Sequence, residues 1–177
     1  MGGAITLVLG GARSGKTRHG LLLAEQQRAA GLRTIYVATA EAHDDEMQQR
    51  IDHHKQERDA QWATVDAPLD LAGAIATNCS SEVCLLVDCL TLWATNLLLG
   101  DKDIMAETTN LITQLKNAQG PIILVSNEVG LGIVPDNALA RRFRDIAGRL
   151  NQDVAAAADT VIFVAAGLPL VLKGTKV

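Results

Sequence analysis

Ile5-Thr6-Leu7-Val8-Leu9 runs directly into Gly10-Gly11-Ala12-Arg13-Ser14-Gly15-Lys16-Thr17, and from Lys16 to Ala30 the composition is that of a helix closed by Gly31. A short apolar strand, a glycine-rich turn ending in Gly-Lys-Thr, and a helix are the parts of a P-loop in the order that motif requires. Glycines permit a turn tight enough for successive N–H groups to face phosphate oxygens, and the helix N-terminus adds its positive end. On this reading Gly10, Gly11, Ala12, Arg13, Ser14, Gly15, Lys16 and Thr17 bind a nucleotide. Lys16 reaches its β- and γ-phosphates and the Thr17 hydroxyl holds Mg2+.

Outward from this stretch, short apolar runs alternate with helical patterns. Ile5 to Leu9, Thr34 to Ala38, Val83 to Val87, Ile122 to Val125 and Thr160 to Val164 read as strands, nearly apolar throughout, as strands covered on both faces are. Lys16 to Ala30, Pro68 to Asn78, Asp103 to Asn117 and Asn137 to Ala158 read as helices. The last has Asp136 as its expected cap and places Leu139, Phe143, Ile146, Leu150 and Val154 on one stripe. Such alternation predicts a three-layer α/β fold of the P-loop NTPase (RecA-like) kind, a mostly parallel sheet with helices on both faces and ligands at the carboxyl ends of the strands. Leu170 to Leu172 add a last, antiparallel strand in this reading.

Composition sets bounds on function. A chain of 177 residues that is 48% apolar can bury one sizeable core, so residues 1–177 are expected to form a single domain. Net charge is −4 with the cations scattered among acids, which gives no footprint for a nucleic acid or a membrane surface. Cys79, Cys84 and Cys89 are odd in number and lack paired zinc-site spacing, so they read as reduced core thiols. With no signal-peptide pattern and no apolar run of about 18 residues, the expectation is a cytoplasmic protein without membrane insertion.

Four further groups invite a chemical reading. Val83-Cys84-Leu85-Leu86-Val87-Asp88 has the form of a Walker B strand whose terminal acid holds Mg2+ directly or through water. Asp44 to Asp59 has helical composition but only Met47 and Ile51 as apolar anchors, and it carries His53 and His54 beside Arg50, Lys55 and Arg58. Histidines so placed are ordinarily surface residues. A helix polar nearly all round also suits work at a ligand, and cationic neighbours keep an imidazole neutral and nucleophilic toward phosphorus. Arg141, Arg142, Arg144 and Arg149 read as a solvated face, while Ser126-Asn127-Glu128-Val129-Gly130 follows a strand and is equally a turn or part of a site. Trp62 and Trp93 read as packing groups. No Asn-Lys-x-Asp guanine-reading motif is present, which disfavours a signalling GTPase.

Taken together these segments resemble the bifunctional adenosylcobinamide kinase / adenosylcobinamide-phosphate guanylyltransferase family. The match is carried by Gly10 to His19, Tyr36-Val37-Ala38-Thr39, Asp44-Asp45-Glu46-Met47 with Arg50-Ile51 and His53-His54-Lys55, and Asp88-Cys89-Leu90-Thr91 with Thr95 to Leu98. It continues through Ser126 to Pro135 and through Arg144 to Arg149 with Asn151-Gln152, so that about nine-tenths of the chain is spanned in the family's order. The resemblance implies that the enzyme phosphorylates adenosylcobinamide with ATP or GTP. It then attaches GMP from GTP to the resulting phosphate, by way of a covalent GMP-histidine whose nucleophile falls on His53. It implies Mg2+, a catalytic Lys16 and a homo-oligomer, a trimer in its expected form. Asp88 stands where family members can carry Glu. The rival readings are a monofunctional P-loop small-molecule kinase, with the histidines on a solvated lid, and a nucleotide-sensing binding module without turnover.

Overall fold

A computed structural model describes residues 3–41 and 62–174. The strands are β1 (Ile5–Gly10), β2 (Arg33–Ala38), β3 (Ala63–Asp66), β4 (Val83–Asp88), β5 (Ile122–Asn127), β6 (Thr160–Ala165) and β7 (Leu168–Lys173). The helices are α1 (Lys16–Ala29), α2 (Leu71–Asn78), α3 (Leu90–Leu99), α4 (Ile104–Lys116) and α5 (Ala138–Ala157). The strands form one sheet in the order β3-β2-β4-β5-β1-β6-β7. Every pairing is parallel except β6 with β7.

Successive side chains of a strand point to opposite faces, and β5 shows the consequence. Ile122 and Leu124 join a core with Leu71, Ile75, Trp93, Leu97, Leu111, Leu115 and Leu150, contributed by α2 to α5. Ile123 and Val125 join a second core with Leu23 and Ala24 of α1 and with Tyr36, Leu86 and Ile162. Helices therefore cover both faces, as expected, but unequally among the described residues: α1 on one side, four helices on the other. Each fully buried Leu or Ile contributes about 1.5–3 kcal/mol relative to exposure. Trp93 is fully buried and its indole N–H donates to the Leu69 carbonyl at 2.8 Å, so even its polar atom is satisfied.

Three elements differ from the sequence expectation. β3 is a short edge strand with mostly exposed residues, and α3 follows β4 directly; neither was expected. The cap of α5 is Asn137, not Asp136: the Asn137 side chain accepts from the Ala140 N–H at 3.1 Å, while the Asp136 carbonyl takes a hydrogen bond from Arg141. In the expected stripe of α5, Leu150 and Val154 are buried and Phe143 and Ile146 pack against the core, but Leu139 in the first turn is exposed. It belongs to the open overhang shared with Leu98, Leu99 and Phe143 rather than to the sheet-facing surface. The terminal strand is antiparallel as expected and slightly longer, joined to β6 through Ala166 and Gly167, both at positive φ. Two such residues make the turn that matches the twist of paired strands. No helix among the described residues is long and apolar enough to cross a membrane.

Candidate functional site

The P-loop lies at the carboxyl end of β1, a central strand flanked by β5 and β6. Gly10 is required by close approach: a Cβ there would lie 2.4 Å from Ser14 Oγ and 2.6 Å from the Val164 carbonyl oxygen. Arg13 at φ 56° and Gly15 at φ 95° turn the chain into α1. Holding a non-glycine residue in the left-handed region costs about 1–2 kcal/mol, which the surrounding loop must offset. It does so partly through Ser14, whose N–H donates to the Gly11 carbonyl at 3.3 Å and whose carbonyl accepts from Gly167 in the β6–β7 turn at 2.8 Å. Gly15 occupies the N-cap position, and among the described residues no side chain caps the first turn of α1. Helices leave their first N–H groups without intrahelical partners, so this end presents donors and positive potential to an anion.

Lys16 is 9% exposed, and its ammonium donates to the Gly11 carbonyl at 3.1 Å across the loop. Burial pushes its pKa below the ordinary lysine value, opposed by Cys89 and Asp88. Those two residues are thus within its electrostatic reach. Thr17 follows it, half-buried, in the first turn of α1. Gly11 is half-buried and Ala12 and Arg13 are exposed at the rim, while Ser14 Oγ is buried without a hydrogen-bond partner among the described residues.

The facing wall is built from the ends of β2, β4 and β5. Asp88 ends β4, and its Oδ2 accepts from the Tyr36 hydroxyl at 3.0 Å. Thr39 Oγ1 accepts from the Cys89 N–H at 2.8 Å and donates to the Cys89 carbonyl at 2.7 Å. Asn96 of α3 donates to the carbonyls of Thr39 at 2.8 Å and Pro68 at 3.0 Å. Ser126 donates to Asn151 Oδ1 at 2.7 Å, Asn151 donates to the Asn127 carbonyl at 3.1 Å, and the Asn127 N–H donates to Thr91 Oγ1 at 2.7 Å. Thr39, Thr91, Asn96, Ser126 and Asn151 are all buried, so each hydrogen bond is made where an unmade one would be costly. The Glu128 N–H donates to the Gly10 carbonyl at 3.0 Å and ties this wall to the P-loop. Burial raises the Cys89 thiol to about 11, so it is protonated at neutral pH. All three cysteines are free thiols and two are buried, in line with the sequence reading.

Not every expected site residue falls in this cleft. Residues 44–59, with His53 and His54, lie outside the described residues. Arg142 and Arg149 are exposed on α5, Arg144 pairs with Asp145 at 3.3 Å, and Arg141 donates to the carbonyls of Pro135 and Asp136. Arg144, Arg149 and Gln152 line an open hollow of about 370 Å³ beside Gly130. The loop after Glu128 exposes Leu131, Ile133 and Val134. Neither Asn96 nor Asn151 has a role in the sequence reading; for Asn96 the available signal was a lone amide inside an apolar helix, and Asn151, next to Gln152 in the amphipathic α5, offered none. Among the described residues no group of three His, Cys, Asp or Glu side chains converges as a metal site. The hard oxygens at hand are the Thr17 hydroxyl and the Asp88 carboxylate, a donor set that suits Mg2+, which takes one or two protein oxygens alongside phosphates and water.

Residues 6–172 match the model of the family described as cobinamide kinase / cobinamide phosphate guanyltransferase. The chain belongs to that family. Among its relatives, the bifunctional adenosylcobalamin biosynthesis protein CobP of Pseudomonas aeruginosa is 50% identical over 171 residues, covering 95% of this chain and 96% of the relative. The bifunctional adenosylcobalamin biosynthesis protein CobU of Escherichia coli K12 is 42% identical over 182 aligned positions, covering 94% of this chain and 98% of the relative. Family membership makes this chain an enzyme, a kinase and guanylyltransferase of cobalamin synthesis. The fold is independently matched by the flagellar accessory protein FlaH of Methanocaldococcus jannaschii, with a TM-score of 0.56 at 13% identity over 98% of this chain and 80% of that one. A KaiC-like protein of Pyrococcus horikoshii OT3 matches with a TM-score of 0.53 at 19% identity, over 92% of this chain and 71% of that one. Both support the P-loop NTPase fold.

Proposed function

We propose that the cleft between the P-loop and the ends of β2, β4 and β5 carries both reactions, with the nucleotide's phosphates on Gly10 to Thr17 and the ammonium of Lys16 against them. The observation that carries this reading is the pairing of uncapped helix N–H groups with a buried lysine, in a chain whose family performs both transfers. In the first reaction the aminopropanol hydroxyl of adenosylcobinamide attacks the γ-phosphorus of ATP or GTP. The bond from that phosphorus to its bridging oxygen breaks, the hydroxyl loses its proton, and the nucleoside diphosphate leaves. Lys16 and the P-loop N–H groups stabilise charge building on the phosphate oxygens, the main source of catalysis in phosphoryl transfer.

In the second reaction a ring nitrogen of His53 attacks the α-phosphorus of GTP and pyrophosphate leaves. The phosphate of adenosylcobinamide phosphate then displaces His53, breaking the P–N bond and forming adenosyl-GDP-cobinamide. A phosphoramidate to imidazole is labile enough to pass the nucleotidyl group on. Mg2+, held by Thr17 and Asp88, would neutralise phosphate charge. We also take the enzyme to be one domain over residues 1–177, working in the cytoplasm as a homo-oligomer, in trimeric form. Product analysis tests the reading. With adenosylcobinamide, Mg2+ and GTP, mass spectrometry should find the phosphorylated corrinoid and then its GDP derivative, with pyrophosphate released in step with the latter. Phosphorylated corrinoid without pyrophosphate would instead identify a plain kinase.

A further inference from the structure

We infer that Tyr36 is a positioning residue that aims the Asp88 carboxylate; this rests on the reading of Asp88 as the acid that holds Mg2+. β2 and β4 are parallel neighbours, with Tyr36 opposite Leu86 and Ala38 opposite Asp88. Tyr36 and Asp88 therefore sit on the same face, diagonal to one another, a separation that a long aromatic side chain can bridge. The residue directly opposite Asp88 is the small Ala38, which leaves the space over it to the phenol.

The hydroxyl of Tyr36 donates to Asp88 Oδ2 at 3.0 Å. One carboxylate oxygen is thereby engaged and the side chain's rotation is restricted, leaving Oδ1 as the oxygen to face a ligand. The phenol is itself held. Trp62 meets Tyr36 edge-on, ring centroids 6.4 Å apart at 75°, and the Trp62 indole N–H donates to Glu25 Oε1 at 3.0 Å. Glu25 is in turn paired with Arg28 at 2.6 Å. Glu25 and Arg28 belong to α1, the helix whose first residues are Lys16 and Thr17. One chain of contacts thus joins the P-loop helix to the acid at the end of β4, and Tyr36 is its last link. Metal affinity depends on such outer partners because they fix the orientation of the oxygen that binds. Burial alone does not account for the arrangement: at 4% exposure the hydroxyl needs an acceptor, but what it has engaged is the one acidic side chain on β4.

Tyr36→Phe keeps the ring and its contact with Trp62 and removes only the hydroxyl. Affinity for a fluorescent GTP analogue would be measured in excess Mg2+ and in excess EDTA, for the wild type, Y36F, D88N and the double variant. A hydrogen bond to a charged group is strong enough that Y36F should weaken binding in Mg2+ by about tenfold. Affinity in EDTA should be unchanged, and Y36F should add nothing in the D88N background. Equal affinity of Y36F and wild type in Mg2+, an equal loss in EDTA, or full additivity with D88N would each overturn the inference. A purely structural role predicts one of the last two. Should Y36F not fold, W62F, which removes the anchor to Glu25, is measured the same way. It should lower only the Mg2+-dependent affinity, by a smaller factor, and an unchanged value overturns the inference. If wild-type affinity is the same in Mg2+ and EDTA, the metal reading of Asp88 fails first and takes this inference with it.

Discussion

The two sides of the cleft are built on opposite terms. The P-loop side is backbone held in demanding conformations, with Arg13 and Gly15 at positive φ, an uncapped helix start and a desolvated lysine. The facing side is a buried set of side-chain hydrogen bonds in which Thr39, Asn96, Ser126 and Asn151 satisfy one another and the strand ends. One side keeps donors in reserve for a ligand; the other has spent its donors on rigidity. Substitutions should therefore separate: on the first side they should abolish binding with little effect on the fold, and among Thr39, Asn96, Ser126 and Asn151, apart from the metal-facing pair Tyr36 and Asp88, they should do the reverse.

The largest expected effect is at Lys16. Lys16→Met should weaken nucleotide binding by about 10- to 100-fold, as loss of a hydrogen bond between charged groups does, and calorimetric titration would measure it. The same variant should leave the melting temperature of the ligand-free protein unchanged or raise it, because it removes a charge that burial disfavours. The pH dependence follows from the lowered pKa. Between the folded value and the ordinary 10.5 the unfolded chain holds a proton that the folded one has released, so stability gains from Lys16 as pH rises through that window. Nucleotide phosphates favour the ammonium, so affinity should fall over the same window. Both pH effects should vanish in Lys16→Met.

A smaller effect is expected on the facing side, and in the other observable. Asn96→Ala strips the buried carbonyl of Thr39 and the partly buried carbonyl of Pro68 of their donor, and should cost about 2–4 kcal/mol in denaturant unfolding. Nucleotide affinity of the folded fraction should change little. Loss of nucleotide binding well below the melting temperature would show instead that the Asn96 part of the wall reaches the ligand, and the separation between the two sides would be lost.

The same contrast explains what was legible in the sequence. The P-loop is local: strand, turn and helix are contiguous from Ile5 to Ala29, and each glycine states a backbone requirement in place. Strands buried on both faces announced themselves as unbroken apolar runs. β3 did not, since Ala63-Thr64-Val65-Asp66 is a short, largely exposed edge strand. α3 was missed because Leu90 to Leu99 is apolar nearly all round, which erases helical periodicity, and because its N-cap, Cys89, makes no side-chain cap. The wall could not be read because its partners are remote: Asn96 meets Thr39 across 57 residues and Tyr36 meets Asp88 across 52. Family resemblance marked several of these residues without giving their contacts. Asp136 failed as a cap by one position, because Asn137 presents its side-chain oxygen to the first turn.

Nucleotidyl transfer through His53 at a P-loop site calls for incubating the protein with α-labelled GTP and Mg2+, followed by denaturing separation and exposure to acid or alkali. The expected result is a protein-bound label that is lost in acid, survives alkali and is missing from His53→Ala. No label on the wild-type protein, under conditions where GTP demonstrably binds, would contradict it and leave a kinase that uses the P-loop alone.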